Sequence, residues 1–214
     1  MDNDLLSVAR ETSGFMPEAE GLALRDAGLR APGGAWVEIG SYCGKSTLYL
    51  GDGARGTGAI LYSIDHHRGS EEHQVGEEWH DPLLVDHAGR VNTLPHFMKT
   101  IVRAQLQDVV VAVSGRSSSV AGGWTRPLSL VFIDGGHSEA VAQADYEDWT
   151  RHLTPGAVLA IHDVFPDPGD GGRPPFLIYE RALKSRRFRE LLACGSLRVL
   201  QRVADGKVQL HDPR

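Results

Sequence analysis

Thiols are scarce in this chain, with only Cys43 and Cys194 among 214 residues. Two cysteines so far apart supply neither a disulfide framework nor a CxxC metal site. Free thiols of this kind suit a reducing cytoplasm. Long apolar runs are missing too: nothing approaches the ~20 residues that a membrane span needs. The opening Met-Asp-Asn-Asp lacks the basic-then-apolar profile of a secretory signal. Positive charge is in deficit, with 22 Lys and Arg against 28 Asp and Glu, a net charge of -6 and a pI near 5.9. Nucleic acid and anionic membranes are held by basic surfaces, so neither is expected as a partner. There is no internal repeat and no low-complexity tail. The expectation is a cytoplasmic protein.

What is present is ordinary for a globular chain: 41% hydrophobic and 23% charged residues, in a length that suits one domain. Apolar runs at 35–39, 59–64, 109–113, 128–133 and 157–161 read as strands. Helical spacing or helix-start signals occur between them, at 45 onward, 93–106, 117–121 and 139–152. Residues 4–30 give one or two short helices, 176–188 one more, and 196–203 and 208–210 two last strands. Strands alternating with helices imply βαβ units, hence an α/β fold with a Rossmann-like parallel sheet covered on both faces. The expected division is a helical cap, 1–34, on a main domain, 35–214, within one compact unit.

Ligands of such sheets bind at the carboxyl ends of the strands. Here the strands end on Glu38-Ile-Gly40, Asp65-His-His67, Ser114-Gly-Arg116, Asp134-Gly-Gly-His137 and His162-Asp163. The first turn, Gly40-Ser-Tyr-Cys-Gly44, precedes a helix start at Lys45-Ser46. The phosphate-binding pattern GxxxxGK[ST] needs four residues between its glycines; here there are three. The dinucleotide pattern GxGxxG needs a middle glycine, which is absent. An acid two before the first glycine and a second glycine four after it, Glu38-x-Gly40-x-x-x-Gly44, does fit. It resembles the first motif of class I S-adenosylmethionine-dependent methyltransferases, with Tyr42 where many members carry glycine. Asp65 lies 21 residues beyond Gly44, the spacing at which a strand-end acid accepts hydrogen bonds from ribose hydroxyls.

Phe132-Ile-Asp-Gly-Gly-His137 and Leu153-Thr-Pro-Gly-Ala-Val-Leu-Ala-Ile-His-Asp163 resemble motifs of the metal-dependent small-molecule O-methyltransferases, including the macrocin-type sugar enzymes. The wider pattern, with GGRPP near 171–175, is similar to actinobacterial saccharide methyltransferases such as those of methylmannose polysaccharide synthesis. The likeness runs from about Trp36 to Phe165. It implies seven strands with the last antiparallel, and a homodimer. It also implies S-adenosylmethionine held by Glu38, Gly40, Ser41, Gly44, Ser46, Asp65, His66, Ser117 and Asp134. A divalent metal, Mg²⁺ or Mn²⁺, would sit on Asp134, His162 and Asp163, where relatives place acids and this chain has one histidine.

The residues support such chemistry independently. Two carboxylates on neighbouring strand ends suit Mg²⁺. A sugar hydroxyl is a poor nucleophile; a cation lowers its pKa and a histidine can take the proton. Asp134, His137 and His162 are the catalytic candidates, His137 first as base. The polar stretch 66–90 holds His66, His67, His73, His80 and His87. It lacks HExxH or CxxC spacing for zinc, and its acids and Trp79 fit an acceptor lid. Trp79 either stacks on a sugar ring or plugs the core, and Arg173-Pro-Pro175 is placed as the opposite wall. The acceptor is expected to be a small molecule or oligosaccharide. The rivals are a phenolic or catechol acceptor, a metal-dependent hydroxylase or hydrolase, and a non-catalytic nucleoside-binding protein.

Overall fold

The computed structural model describes residues 1–204 other than 71, 72, 75, 78, 79, 137 and 168. Two helices come first, α1 (Asn3–Glu11) and α2 (Glu18–Leu29). Asp2 caps α1, its Oδ1 accepting from Leu5 N at 2.8 Å, and Pro17 stands just before α2. Then follow β1 (Ala35–Ile39), α3 (Lys45–Thr57), β2 (Ile60–Asp65), α4 (Leu94–Arg103), β3 (Val110–Ser114), α5 (Ser117–Gly122) and β4 (Leu128–Ile133). The chain continues with α6 (Glu139–Thr150), β5 (Leu153–Ile161), α7 (Pro174–Lys184), β6 (Phe188–Cys194) and β7 (Leu197–Arg202).

Among the described residues the seven strands form one sheet in the order β3-β2-β1-β4-β5-β7-β6. Every pairing is parallel except those of β7, which runs antiparallel to both neighbours. Central strands are buried on both faces, and β1 and β4 are buried along their whole length, as continuous apolar runs in a covered parallel sheet should be. One face packs Trp36, Leu61 and Phe132 against α1 to α4 through Leu24, Leu48, Tyr49 and Phe97. The other packs Val37, Val131 and Leu159 against α6 and α7 through Tyr146, Trp149 and Ile178. The expected sheet, with its last strand antiparallel, is borne out. No described helix is long and apolar enough to cross a membrane.

Two expectations need correction. The helix expected over 176–188 stops at Lys184, and Arg186 turns the chain in the left-handed region at φ 58°. Phe188 then opens β6, which has a largely exposed run with Arg189 and Glu190 and so lacks the apolar alternation that marks a strand. The strand expected at 157–161 begins earlier, at Leu153, where the β4–β5 register shifts. The strand expected at 208–210 lies outside the described residues.

The register puts the functional rim in line. Ile39 pairs with Ile64 and Ile133, Ile133 with Ile161, and Asp65 with Ser114. One step on from Ile39, Ile133 and Ile161, the row therefore reads Ser114, Asp65, Gly40, Asp134, His162. Backbone bonds carry the ladder into that row: Gly40 N to Ile64 O (3.0 Å), Asp134 N to Ile39 O (2.9 Å) and His162 N to Ile133 O (3.1 Å). The chain reverses its direction across the sheet between β1 and β4, the crevice where such sheets bind ligands.

Candidate active site

The β1–α3 loop fits against the β4 end with no room for a side chain. Gly40 has φ +83°, and a Cβ there would lie 2.1 Å from the Asp134 carbonyl oxygen and 2.9 Å from Gly135 Cα. The loop is tied down on its other side by Asp65, whose Oδ2 accepts from the backbone N–H of Ser41 (3.0 Å) and Tyr42 (2.9 Å). Its Oδ1 accepts from His67 N at 2.7 Å. The loop thus presents backbone and the Ser41 hydroxyl, which is buried and has no hydrogen-bond partner among the described residues. An orphaned hydroxyl inside a glycine turn at a helix start is what a ligand's polar group would satisfy.

Glu38 is fully buried at the end of β1. Its carboxylate takes hydroxyls from Ser46 (2.7 Å), Thr47 (2.6 Å) and Ser63 (2.6 Å), which brace β1, β2 and α3 together. Burial raises its pKa to about 7, against the pull of those hydroxyls, and the charge of Asp134 adds to the rise. An acid with a raised folded pKa favours folding at low pH. Above its ordinary 4.5 the unfolded chain has lost this proton while the folded chain keeps it. Stability should therefore fall as pH rises from 4.5 to 7, by about 3 kcal/mol over those 2.5 units. Glu38→Gln, uncharged throughout, should lack that fall. Denaturant curves of both proteins at pH 4.5 and 7.5 check it; parallel pH dependences would refute the assignment.

At the next two strand ends lies a cluster of charges. His162 is 4% exposed. Its Nδ1 faces Asp134 Oδ1 at 3.1 Å and Asp163 Oδ1 at 3.4 Å, and its Nε2 faces Glu20 Oε2 at 2.9 Å. Burial alone would lower the pKa of the ring, but the charge of Asp134 and the hydrogen bonds to Asp134, Asp163 and Glu20 push it up to about 12. A ring held this way presents a hydrogen-bond donor to each of its carboxylate neighbours. Asp163 sits in the left-handed region at φ 54°, where Asp and Asn are the residues best tolerated after glycine. Asp134, His162 and Asp163 each offer one ligand atom, all within 4.8 Å of one another. Ligands at about 2.0–2.2 Å from a cation lie up to roughly 4.3 Å apart, so a closure of a few tenths of an ångström suffices. A donor set of two carboxylates and one imidazole fits a divalent cation, which would take the place of the Nδ1 proton.

The remaining candidates are spread around this rim. Ser117 spends its hydroxyl on α6, accepting from Trp149 Nε1 at 2.7 Å and bonding the buried Asp145, whose pKa burial lifts to about 6. Ser46 is committed to Glu38. His66 is exposed, its Nδ1 accepting from Arg68 N. Its neighbour His67 is the buried one, bonded through Nδ1 to Thr93 Oγ1 at 2.8 Å and with no partner for Nε2 among the described residues. His73 stacks on Tyr42 at 5.1 Å, with Phe15 within 5.6–5.8 Å of both rings. None of His66, His67, His73, His80 and His87 joins a described metal-binding group. Pro175 shares a small cavity of about 10 Å³ with Asp134, Gly135 and His162, while Arg173 lies over Phe176. His137, Trp79, Glu71, Glu72 and Glu78 lie outside the described residues. A cleft of about 420 Å³ is lined by Gly34, Ala35, Ile60 and Leu128. It opens at the amino ends of the strands, away from every polar group of the rim, and has no part in the site.

Glu20 and Thr47 were not picked out from the sequence. Glu20 had a visible signal: it shares a helical face with Leu24 and Ala27, both buried, and an acid on an apolar face must have a partner.

Fold and rim together define a class I methyltransferase. Residues 37–164 match the family described as "Methyltransferase domain", more than half of the chain, and the chain belongs to that family. The expectation of a methyltransferase is borne out. Among solved structures, it is similar to the O-methyltransferase from Bacillus cereus in complex with S-adenosylhomocysteine, at 18% identity and TM-score 0.62, covering 94% of this chain and 92% of that one. It is also similar to the O-methyltransferase TomG of tomaymycin synthesis from Streptomyces achromogenes, bound to S-adenosylmethionine, at 15% identity, TM-score 0.61, and 95% and 91% coverage. A third is the S-adenosylhomocysteine-bound methyltransferase PaMTH1 of Podospora anserina, at 13% identity, TM-score 0.67, and 95% and 89% coverage. At such identities the likeness is one of fold.

Proposed function

We propose that the protein is an S-adenosylmethionine-dependent O-methyltransferase of a saccharide or sugar-containing small molecule, assisted by Mg²⁺ or Mn²⁺. One observation carries the reading: the glycine loop and the Asp134–His162–Asp163 cluster share a wall, with Gly40 packed against the Asp134 backbone. A donor site and a group able to activate an acceptor oxygen are thus neighbours on one rim. The bound nucleosides of the B. cereus and S. achromogenes structures support the choice of cofactor.

S-adenosylmethionine supplies the methyl group; S-adenosylhomocysteine, a methyl ether and the acceptor's proton are the products. A divalent cation would supply Lewis-acid polarisation of the acceptor oxygen. The chain supplies the rest. Ser41, Gly40 and Asp65 shape the cofactor loop, and Asp134 and Asp163 provide the negative charge that holds a cation. His137, between Gly136 and Ser138 in the chain, is assigned as base. The Phe15–Tyr42–His73 ring cluster meets the loop at Tyr42 and supplies aromatic surface for a ring-bearing acceptor. A saccharide is favoured by the sequence resemblance.

Calorimetry with S-adenosylhomocysteine tests the cofactor; absence of binding at micromolar concentrations would overturn the proposal. A labelled-methyl screen over saccharides, phenols and catechols then identifies the acceptor.

A further inference from the structure

We infer that Glu20, on the N-terminal helix α2, is a positioning residue that fixes the His162 ring so that Nδ1 faces Asp134 and Asp163. The inference rests on the cation site proposed above. Glu20 is 6% exposed. A carboxylate that deep is costly unless it is paired and fully hydrogen-bonded. Its partners come from two distant segments. Oε2 receives His162 Nε2 at 2.9 Å and Ser196 Oγ at 3.0 Å, and Oε1 receives Ser196 N at 3.2 Å. The β6–β7 turn is shaped around it: Gly195 has φ +53°, and a Cβ there would lie 2.2 Å from Glu20 Oε1.

The contact could serve merely to fasten α2 to the sheet. The chemistry of the ring argues for more. An ionised carboxylate only accepts, so the nitrogen facing it must carry hydrogen. Nε2–H is thereby assigned to Glu20, and Nδ1 is the nitrogen turned to the two aspartates. A carboxylate behind a ligating histidine orients the ring and raises its basicity, and its loss typically weakens metal binding by about 10–100-fold. Glu20 adds a third carboxylate to the His162 cluster, beside Asp134 and Asp163, from another element.

The test compares full-length wild type, Glu20→Leu, Glu20→Gln and Ser196→Ala. Free Mn²⁺ is read by electron paramagnetic resonance, S-adenosylhomocysteine affinity by calorimetry, and the His162 Nε2–H by ¹H–¹⁵N spectra without added metal. Glu20→Leu keeps bulk on an apolar helix face but removes the acceptor. It should bind Mn²⁺ about 10–100-fold more weakly, lose the slowly exchanging Nε2–H signal and keep its S-adenosylhomocysteine affinity. Glu20→Gln retains an acceptor oxygen and should recover much of the Mn²⁺ affinity. Ser196→Ala, which loosens the fastening but leaves the ring contact, should bind Mn²⁺ like wild type. Equal Mn²⁺ affinity in wild type and Glu20→Leu, or equal losses in Glu20→Leu and Ser196→Ala, would overturn the inference. If wild type itself takes up no Mn²⁺, the cation reading fails; the Nε2–H signal then decides Glu20 alone, and its persistence in Glu20→Leu would refute positioning. Should Glu20→Leu not fold, Glu20→Asp, which draws the carboxylate back by one methylene, should weaken Mn²⁺ several-fold, and no change counts against the proposal.

Discussion

Gly40→Ala is expected to unfold the rim and destroy cofactor binding. The first contribution is conformational: an L-residue at φ +83° is strained by roughly 1–2 kcal/mol. The second is larger. The new methyl group would stand 2.1 Å from the Asp134 carbonyl oxygen, and the obstacle is backbone, not a side chain that can swing away. Asp134 is fixed by its own N–H bond to Ile39 O, so β1 and β4 must part to admit the methyl. A total loss of about 4 kcal/mol or more belongs to this kind of clash. At roughly 2–4 °C per kcal/mol for a chain of this size, melting should fall by about 8 °C or more. Thermal denaturation and calorimetry with S-adenosylhomocysteine are the measurements. A variant melting near wild type with its affinity intact would show that the loop lies elsewhere in solution.

Asp163→Asn is expected to lower turnover by about a hundredfold or more, because Lewis-acid stabilisation is worth several kcal/mol. Asparagine is the informative choice. It tolerates the left-handed backbone of Asp163 and keeps the side chain's shape, so the change removes charge with little strain. Melting temperature and S-adenosylhomocysteine affinity should hold while Mn²⁺ affinity and turnover drop together. EDTA should have the same effect on wild type. His137→Ala offers the contrast, with turnover lost and Mn²⁺ affinity kept. Full activity in Asp163→Asn, or methyl transfer indifferent to EDTA, would remove the cation from the mechanism.

Much of the fold was legible because central parallel strands are apolar throughout: Ala35–Ile39 and Leu128–Ile133 have the bounds their sequence implies. The edge was not legible, since β6 is exposed and charged and its pairing comes from β7 rather than from its own pattern. In the site, Asp65, Asp134 and His162-Asp163 could be read because each directly ends an apolar run. What escaped was distance. Nothing near His162 in the chain points to Glu20, 142 residues earlier, and nothing near Glu38 marks Thr47 and Ser63 as its donors. Such partners are set by packing, and the local sequence carries only a hint, the acid on the apolar face of α2.

The Glu20–Ser196 contact also has a consequence in time. It joins residues 176 positions apart, and closing so long a span is slow compared with forming neighbouring βαβ units. The cofactor loop gains its Asp65 tether within the first third of the chain, and its seat against the Asp134 backbone once β4 is added. The histidine clasp waits for the final hairpin to add itself to the sheet. The half of the site that grips a nucleoside is therefore closed by contacts of shorter span than the half assigned to the cation, and should form first on refolding.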